Sequence, residues 1–341
     1  MRRRWEAGEK AACGLACRAP GQHSGGMAVA SDLLRQIVAS GALADPAWEA
    51  AFAEVPRELF VPFYYVTGPD GGPERLWRDD PDPGRRSRWL AGVYDDVPLA
   101  TRVRDGELVS SSSQPSLMAR MLEALDVHDG MSVLEIGAGS GYNAALLAHR
   151  LGDSRVTTID LDPEITSAAR EHLAAAGYRP RVVTGDGARG APAYAPYDRI
   201  VATCALSSVP AAWLEQCAAG ALLLAPLGTG LVRLNVADEE HATGRFLDTP
   251  AFFVPLRGGG TSAPVNPPAR YEIPRHAQRQ DSFQFLFGLT AGSMEPHDVY
   301  ELWRTAGRPV RERYGVTVRD GEQWAWLDDP EGPYTWPLGG S

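Results

Sequence analysis

No apolar run in this sequence approaches the roughly 20 residues that a membrane-spanning helix requires. Residues Met1 to Gly26 also lack a continuous apolar stretch of signal-peptide length. Cysteine is scarce, with four residues at Cys13, Cys17, Cys204 and Cys217. Cys13 and Cys17 have no second pair at zinc-ligand spacing, and nothing suggests a disulfide framework, so a reducing cytoplasm is the default expectation. There is no basic stripe: Arg far outnumbers Lys, basic residues are scattered, and the formal charge is −10. That balance argues against holding nucleic acid by its phosphates. Neither a membrane nor a nucleic-acid partner is expected, no internal repeat is found, and the oligomeric state is not indicated.

What is present suits a globular protein. The 341 residues are 44% hydrophobic and 22% charged, enough for one large or two modest domains. Met1 to Gly26 is Arg-rich and then rich in Gly, Ser and Pro, which reads as a disordered leader, with the start at Met1 or Met27 left open. Leu33, Leu34, Ile37, Val38 and Leu43 form a helical stripe, and a second short helix is expected around Trp48 to Glu54. Gly68 to Arg88 reads as a surface loop, and Tyr94 to Ser113 as extended chain.

From Met131 the pattern changes to short aliphatic runs alternating with helical ones. Met131–Ile136, Arg155–Asp160, Arg181–Thr184, Arg199–Thr203 and Ala221–Leu227 predict strands. Tyr142–Leu151, Pro163–Ala176 and Pro210–Ala218 predict helices between them. The alternation predicts an α/β fold with a doubly wound, mostly parallel sheet. Leu231–Ala237 and Arg245–Leu256 close the series as two further strands. Gly258 to Pro268 reads as a linker. Beyond it, Phe283-Gln284-Phe285-Leu286-Phe287 alternates as a strand should, and Tyr314–Val318 with Gln323–Leu327 reads as a hairpin turning at Asp320-Gly321. The expectation is a small α+β appendage.

The strongest local signal is Val133-Leu134-Glu135-Ile136-Gly137-Ala138-Gly139-Ser140-Gly141. A strand ends in an acid, glycines follow at alternate positions, and a helix opens at Tyr142. Glycine permits the sharp turn and the close approach of a ligand, and the helix N-terminus offers free N–H groups. By itself such a loop fits a dinucleotide site or a tight turn equally well. Asp160, at the end of the next strand, is placed to accept hydrogen bonds from ribose hydroxyls. Gly185-Asp186-Gly187 follows the third strand, where a carboxylate can accept an adenine amino group. Asp160 could instead cap a helix and Asp186 shape a turn, but three acids ending three successive strands would line the ligand-binding edge of the sheet. The later third glycine of a dinucleotide fingerprint is missing.

Together, Glu135-x-Gly137-x-Gly139-x-Gly141, Asp160 and Gly185-Asp186-Gly187 resemble a Rossmann-like class I methyltransferase. The flanking residues resemble the protein-L-isoaspartate O-methyltransferases. Val55-Pro56-Arg57-Glu58-Leu59-Phe60-Val61-Pro62 is similar to that family's N-terminal signature, and Tyr94-x-Asp96-x-Pro98-Leu99 to the segment before its substrate loop. Ser112-Ser113-Gln114-Pro115 is similar to the loop itself, and Pro196-Tyr197-Asp198-Arg199-Ile200 and Leu214-Glu215-Gln216 to the stretch around its fourth strand. The resemblance covers about Phe52 to Leu256. It departs from the family at Ser110, Ser111 and Ser112, where Thr-Ile or a similar pair is usual before the serine, and at Thr203-Cys204-Ala205-Leu206 after strand four.

The resemblance implies S-adenosyl-L-methionine as cofactor, S-adenosyl-L-homocysteine as product, and no metal. It implies Ser113 as the catalytic residue orienting a substrate carboxylate, with Ser112, Gln114 and Thr203 as substrate contacts. Cofactor contacts are expected from Glu135, Gly137, Ala138, Gly139, Gly141, Asp160, Leu161, Asp186 and Gly187. Ser113 could also cap a helix opening at Pro115. The partner would be a peptide or protein bearing Asp or isoAsp, whose methyl ester is attacked by the following backbone amide to give a succinimide.

The region after Pro268 is similar to methyltransferases that accompany lanthipeptide and ATP-grasp peptide gene clusters, on Trp324-x-Trp326-Leu327-Asp328, Gly332-Pro333 and Trp336-Pro337. The favoured reading is therefore tailoring of a ribosomally made precursor peptide, with general isoaspartyl repair and a non-catalytic cofactor-binding regulator as alternatives. The aromatics after Pro268 would pack a core and also dock peptide, and Arg275, Arg279, Arg308, Arg311 and Arg313 would hold acidic peptide segments. The domain plan is a leader (1–26), an N-terminal helical and substrate-loop region (27–112), the methyltransferase domain (113–257), a linker (258–268) and an accessory domain (269–341).

Overall fold

The computed structural model describes residues 23–68, 71–104, 106–258 and 273–339. The chain enters through α1 (His23–Ala39) and α2 (Pro46–Glu54). Pro46 at the first turn and Asp45 Oδ1, accepting from Ala47 N at 2.8 Å, start α2. A small antiparallel sheet follows, with β1 (Phe63–Thr67), β2 (Pro73–Trp77), β3 (Leu99–Arg104) and β4 (Glu107–Ser112) in the order β2-β1-β3-β4. It is covered by α3 (Pro83–Val93), whose Trp89 packs on Tyr64, Leu76 and Leu99.

The main unit runs α4 (Pro115–Leu125), β5 (Val133–Ile136), α5 (Tyr142–Leu151), β6 (Val156–Asp160), α6 (Pro163–Ala175), β7 (Arg181–Thr184), β8 (Tyr197–Ala202), α7 (Ala211–Leu214), β9 (Cys217–Leu227), β10 (Gly230–Val236) and β11 (Ala242–Pro250). The C-terminal part adds α8 (Arg275–Gln278), α9 (Asp281–Leu289), α10 (Pro296–Thr305), β12 (Tyr314–Arg319), β13 (Glu322–Leu327) and β14 (Thr335–Pro337). All strands from β5 onward form one ten-stranded sheet, ordered β14-β13-β12-β11-β10-β9-β8-β5-β6-β7. Pairing is parallel from β7 through β9 and antiparallel from β9 to β14. This is the doubly wound Rossmann-like fold of class I methyltransferases, and it carries an α+β C-terminal appendage.

Each face of the sheet has its own core. Val133, Val201, Leu222 and Leu224 pack with α1, α2, α4 and α5 on one side. Leu134, Ile200, Leu223 and Phe246 pack with α9 and α10 on the other. The alternation of side chains along buried strands produces this division. Because α9 lies on the main sheet and β12 pairs with β11, the C-terminal region shares the core of the main unit. The Phe246 and Phe285 rings meet edge-on at 4.8 Å.

The structure corrects several expectations. Gly68–Arg88 is not a loop throughout, since it contains β2 and opens α3. Phe283–Phe287 is helical. Phe283, Phe285, Leu286, Phe287 and Leu289 of α9 are all buried, and a helix apolar on nearly every side loses the periodicity that marks an amphipathic one. The Pro210–Ala218 helix is a single turn, because β9 already begins at Cys217. The strand expected over Arg245–Leu256 stops at Pro250, and the chain turns back along the sheet edge, where Ala205 N donates to Val254 O and Leu256 N to Ala205 O, both at 2.9 Å. Helix α1 begins at His23, ahead of Met27, while the earlier leader and residues 259–268 of the expected linker lie outside the described residues. Among the described residues no helix is long and apolar enough to cross a membrane.

Candidate active site

In the order β7-β6-β5-β8-β9, chain direction of travel reverses at β5, whose neighbours are β6 and β8. Loops from β5 and β8 therefore diverge and leave a crevice at their carboxyl ends, where open α/β sheets bind ligands. A cleft of ≈ 790 Å³, counting space open to solvent, occupies this position. Its floor is the turn after β5, its walls are Ser110–Ser113 and Val254–Arg257, and Asp160, Leu161 and Gly187 lie at one end.

The floor is shaped by backbone. Gly137 N and Ala138 N both donate to Ile159 O, at 2.8 and 3.1 Å, folding the chain sharply beneath the cleft. Gly137 has φ +99° and lies under Thr203, where a Cβ would come within 2.6 Å of Thr203 Oγ1. Only glycine fits there. Thr203 Oγ1 donates to Gly137 O at 2.7 Å, so Thr203 ties the β8 loop to the β5 loop. Gly141, φ +86°, opens α5 as its N-cap and stands behind the lining.

Three acids differ in what they do. Glu135 is 1% exposed and accepts from Asn143 Nδ2 at 2.8 Å and Thr158 Oγ1 at 2.6 Å. Burial pushes its carboxyl up to about 7 against those two hydrogen bonds. Asp160 ends β6 in the cleft, accepting from Gly139 N at 3.2 Å and Asp162 N at 3.3 Å. The helix cap that Asp160 might have supplied belongs to Asp162, which accepts from Glu164 N at 2.9 Å. Asp186 accepts from Ala188 N at 3.0 Å, and a Cβ at Gly258 would fall 2.3 Å from its Oδ1, so it lies beside the strap while Gly187 meets the cleft.

On the opposite wall Ser112 and Ser113 line the cleft, and among the described residues Ser113 Oγ has no hydrogen-bond partner. Ser113 is not the cap of α4. The N-cap position is Gln114, whose side chain makes no capping bond, and Asp96 from the preceding segment accepts from Ser116 N at 2.8 Å in its place. Gln114 turns away from the cleft, with Nε2 donating to Asp96 Oδ2 at 3.2 Å and Ser116 Oγ at 3.1 Å. The Cys204 thiol, pushed up to about 12 by burial, is no nucleophile at neutral pH. Among the described residues no group of three or more His, Cys, Asp or Glu could hold a metal ion.

The strap Val254–Arg257 begins inside the strand expected over Arg245–Leu256 and ends one residue beyond it, at Arg257, which carries no local sequence signal. Its Nη2 lies 3.5 Å from Asp160 Oδ1, and it is the sole basic residue lining the cleft among the described residues. Tyr142 and Asn143 were read only as the start of a helix, although both line the cleft. In the C-terminal region Phe283, Phe285, Trp303, Trp326 and Trp336 are buried in the core, whereas Trp324 is half-buried and Tyr334 is exposed. Two of the five arginines assigned to peptide are committed to ion pairs, Arg311 with Asp281 and Arg313 with Asp328, and Arg308 lies over the Trp303 ring.

A strand-end acid, a glycine floor and a cleft at the switch point fit the cofactor site of an S-adenosylmethionine-dependent class I methyltransferase. The sequence pattern of the protein-L-isoaspartate(D-aspartate) O-methyltransferases matches residues 86–260. The chain is 35% identical over 232 residues to a protein-L-isoaspartate O-methyltransferase of Ignicoccus hospitalis, spanning 66% of this chain and 95% of that protein. It is 36% identical over 248 residues to protein-L-isoaspartate O-methyltransferase 1 of Rhodopseudomonas palustris, spanning 71% and 88%. The chain belongs to the protein-L-isoaspartate(D-aspartate) O-methyltransferase family. A solved structure named protein-L-isoaspartate O-methyltransferase shares its fold with a TM-score of 0.60 at 20% identity, over 92% of this chain and 100% of that one. That span must include more than half of the residues after Pro268.

Proposed function

We propose that this enzyme transfers a methyl group from S-adenosylmethionine to the free carboxylate of an isoaspartyl residue in a peptide or protein. The observation that carries this reading is Ser113, which lines the cleft wall and whose hydroxyl has no partner among the described residues. The bound cofactor supplies an activated methyl group on a sulfonium. Asp160 and the glycine turn would hold its ribose and amino-acid portions, and Glu135 braces the turn from below through Asn143 on α5.

Methylating a carboxylate asks little acid–base work of the protein, since an aspartyl carboxyl of pKa about 3.9 is ionised at neutral pH. The remaining task is alignment at near-attack distance, which can supply several kcal/mol. Ser113 Oγ donates to one carboxylate oxygen and leaves the other aimed at the methyl carbon. Arg257 offsets the negative charge of Asp160 in a cleft that has to admit an anionic carboxylate.

Precursor-peptide tailoring rests on the resemblance carried by Trp324-x-Trp326-Leu327-Asp328, Gly332-Pro333 and Trp336-Pro337. Trp326 and Trp336 of that stretch are buried and serve the core, and the fold shared with a protein-L-isoaspartate O-methyltransferase runs over 92% of this chain. Isoaspartyl methylation is therefore preferred. Mass spectrometry after incubation with S-adenosylmethionine, run in parallel on a linear isoaspartyl peptide and a cyclised peptide carrying ordinary Asp, separates the two. Methyl ester or succinimide on the isoaspartyl peptide is expected. Modification of the cyclised peptide alone would reverse the preference.

A further inference from the structure

Arg57, inside the Val55–Pro62 motif, has 0% of its surface exposed. Nη1 donates to Val93 O at 2.6 Å and Asp95 O at 3.3 Å, at the end of α3. Nη2 donates to Ser112 Oγ at 3.3 Å and to Ser113 O at 3.1 Å. The guanidinium carbon also sits 5.9 Å from the ring centroid of Tyr142, the residue that opens α5 on the cofactor side of the cleft. One cation thus touches the serine wall, the glycine-loop helix and the segment leading to Asp96.

Stability alone does not account for it. Burying a charge costs several kcal/mol, and apolar replacement of buried ionic groups is often neutral or stabilising. Here the cost is compounded, because Arg57 Nε has no hydrogen-bond partner among the described residues. What a guanidinium provides, and an apolar side chain does not, is a rigid planar fork that fixes several acceptors at once. Two of its four acceptors belong to Ser112 and Ser113. Ser113 is held through its carbonyl, so its hydroxyl stays free for substrate.

We propose that Arg57 is a positioning residue for methyl transfer, fixing the Ser112–Ser113 backbone against Tyr142 so that the Ser113 hydroxyl meets the substrate carboxylate in line with the cofactor methyl group. The inference rests on the carboxyl-methyltransferase reading of Ser113. A displacement of about 1 Å in such a group costs on the order of 100-fold in rate.

The test uses the full chain and the variants Arg57→Lys, Ser112→Ala and their double. Three quantities are measured: hydrogen–deuterium exchange, kcat and KM for an isoaspartyl peptide, and the Kd of S-adenosylhomocysteine. In Arg57→Lys, exchange at residues 111–114 rises while residues 137–147 stay protected. The same variant loses about 10- to 100-fold in kcat, with KM and cofactor Kd within about twofold of the parent. The losses of the two single variants are not additive, because each cuts the same link. Unchanged exchange at 111–114, additive losses, or cofactor affinity falling in step with kcat would overturn the proposal. If Arg57→Lys does not fold, Ser112→Ala decides: faster exchange at 112–114 supports the link and unchanged exchange removes it. If the parent chain methylates no isoaspartyl peptide, the function reading fails, and the exchange measurement still decides whether Arg57 holds the loop.

Discussion

Asn143 Nδ2, on α5, and Glu135 Oε1, near the end of β5, meet at 2.8 Å in the lining of the cleft. The bond ties the helix to the strand across the glycine turn and helps hold a buried carboxylate whose carboxyl is pushed up to about 7 by desolvation. An acid whose folded value lies above its unfolded 4.5 binds its proton more tightly when folded, so stability falls as pH rises between about 4.5 and about 7. The displacement corresponds to roughly 3 kcal/mol. Glu135→Gln should leave urea stability near the parent's at pH 4.5 and exceed it progressively up to pH about 7.5, then level off. A difference that does not vary with pH would contradict this assignment.

Asp160→Asn should weaken S-adenosylhomocysteine binding by about 10- to 100-fold, the scale of one or two charge-assisted hydrogen bonds. Isothermal calorimetry reads it directly. Unchanged affinity would mean that the strand-end acid serves only its contacts within the protein, Gly139 N, Asp162 N and Arg257.

Asp96→Ala removes the acceptor for Ser116 N and should cost about 1 kcal/mol in urea unfolding, typical of a lost N-cap. Ser113→Ala should cost much less, because Ser113 does not cap α4. Equal losses would return the capping role to Ser113.

Much of the catalytic half was legible in the sequence because its elements are locally determined. Buried parallel strands are short aliphatic runs, the turn after β5 needs glycine, and Pro163 and Pro115 open α6 and α4. The misreadings came from tertiary packing. Alternate phenylalanines in α9 imitate a strand because the helix is enclosed by Phe246, Trp303 and Tyr314. Arg257 and Arg57 could not be singled out. Each acts through contacts with residues far along the chain, Asp160 in one case and Ser112–Ser113 in the other, and no local pattern encodes such pairings.

The C-terminal region should prove inseparable from the rest. Ending the chain at Gly258 uncovers Phe246 and leaves β11 as an open edge where β12 had paired. Size-exclusion chromatography should find the shortened chain aggregated or absent from the soluble fraction. A monodisperse, cooperatively folding product would show that residues after 258 form an independent accessory domain.

The most direct test of the account is methyl transfer itself. Purified chain is incubated with methyl-labelled S-adenosylmethionine and two peptides that differ only in an isoaspartyl or a normal aspartyl linkage, and base-labile label is counted. The account predicts label on the isoaspartyl peptide, little on its normal twin, and about a 10- to 100-fold lower kcat/KM in Ser113→Ala. Cofactor binding without any label on the isoaspartyl peptide, or equal label on both, would contradict it.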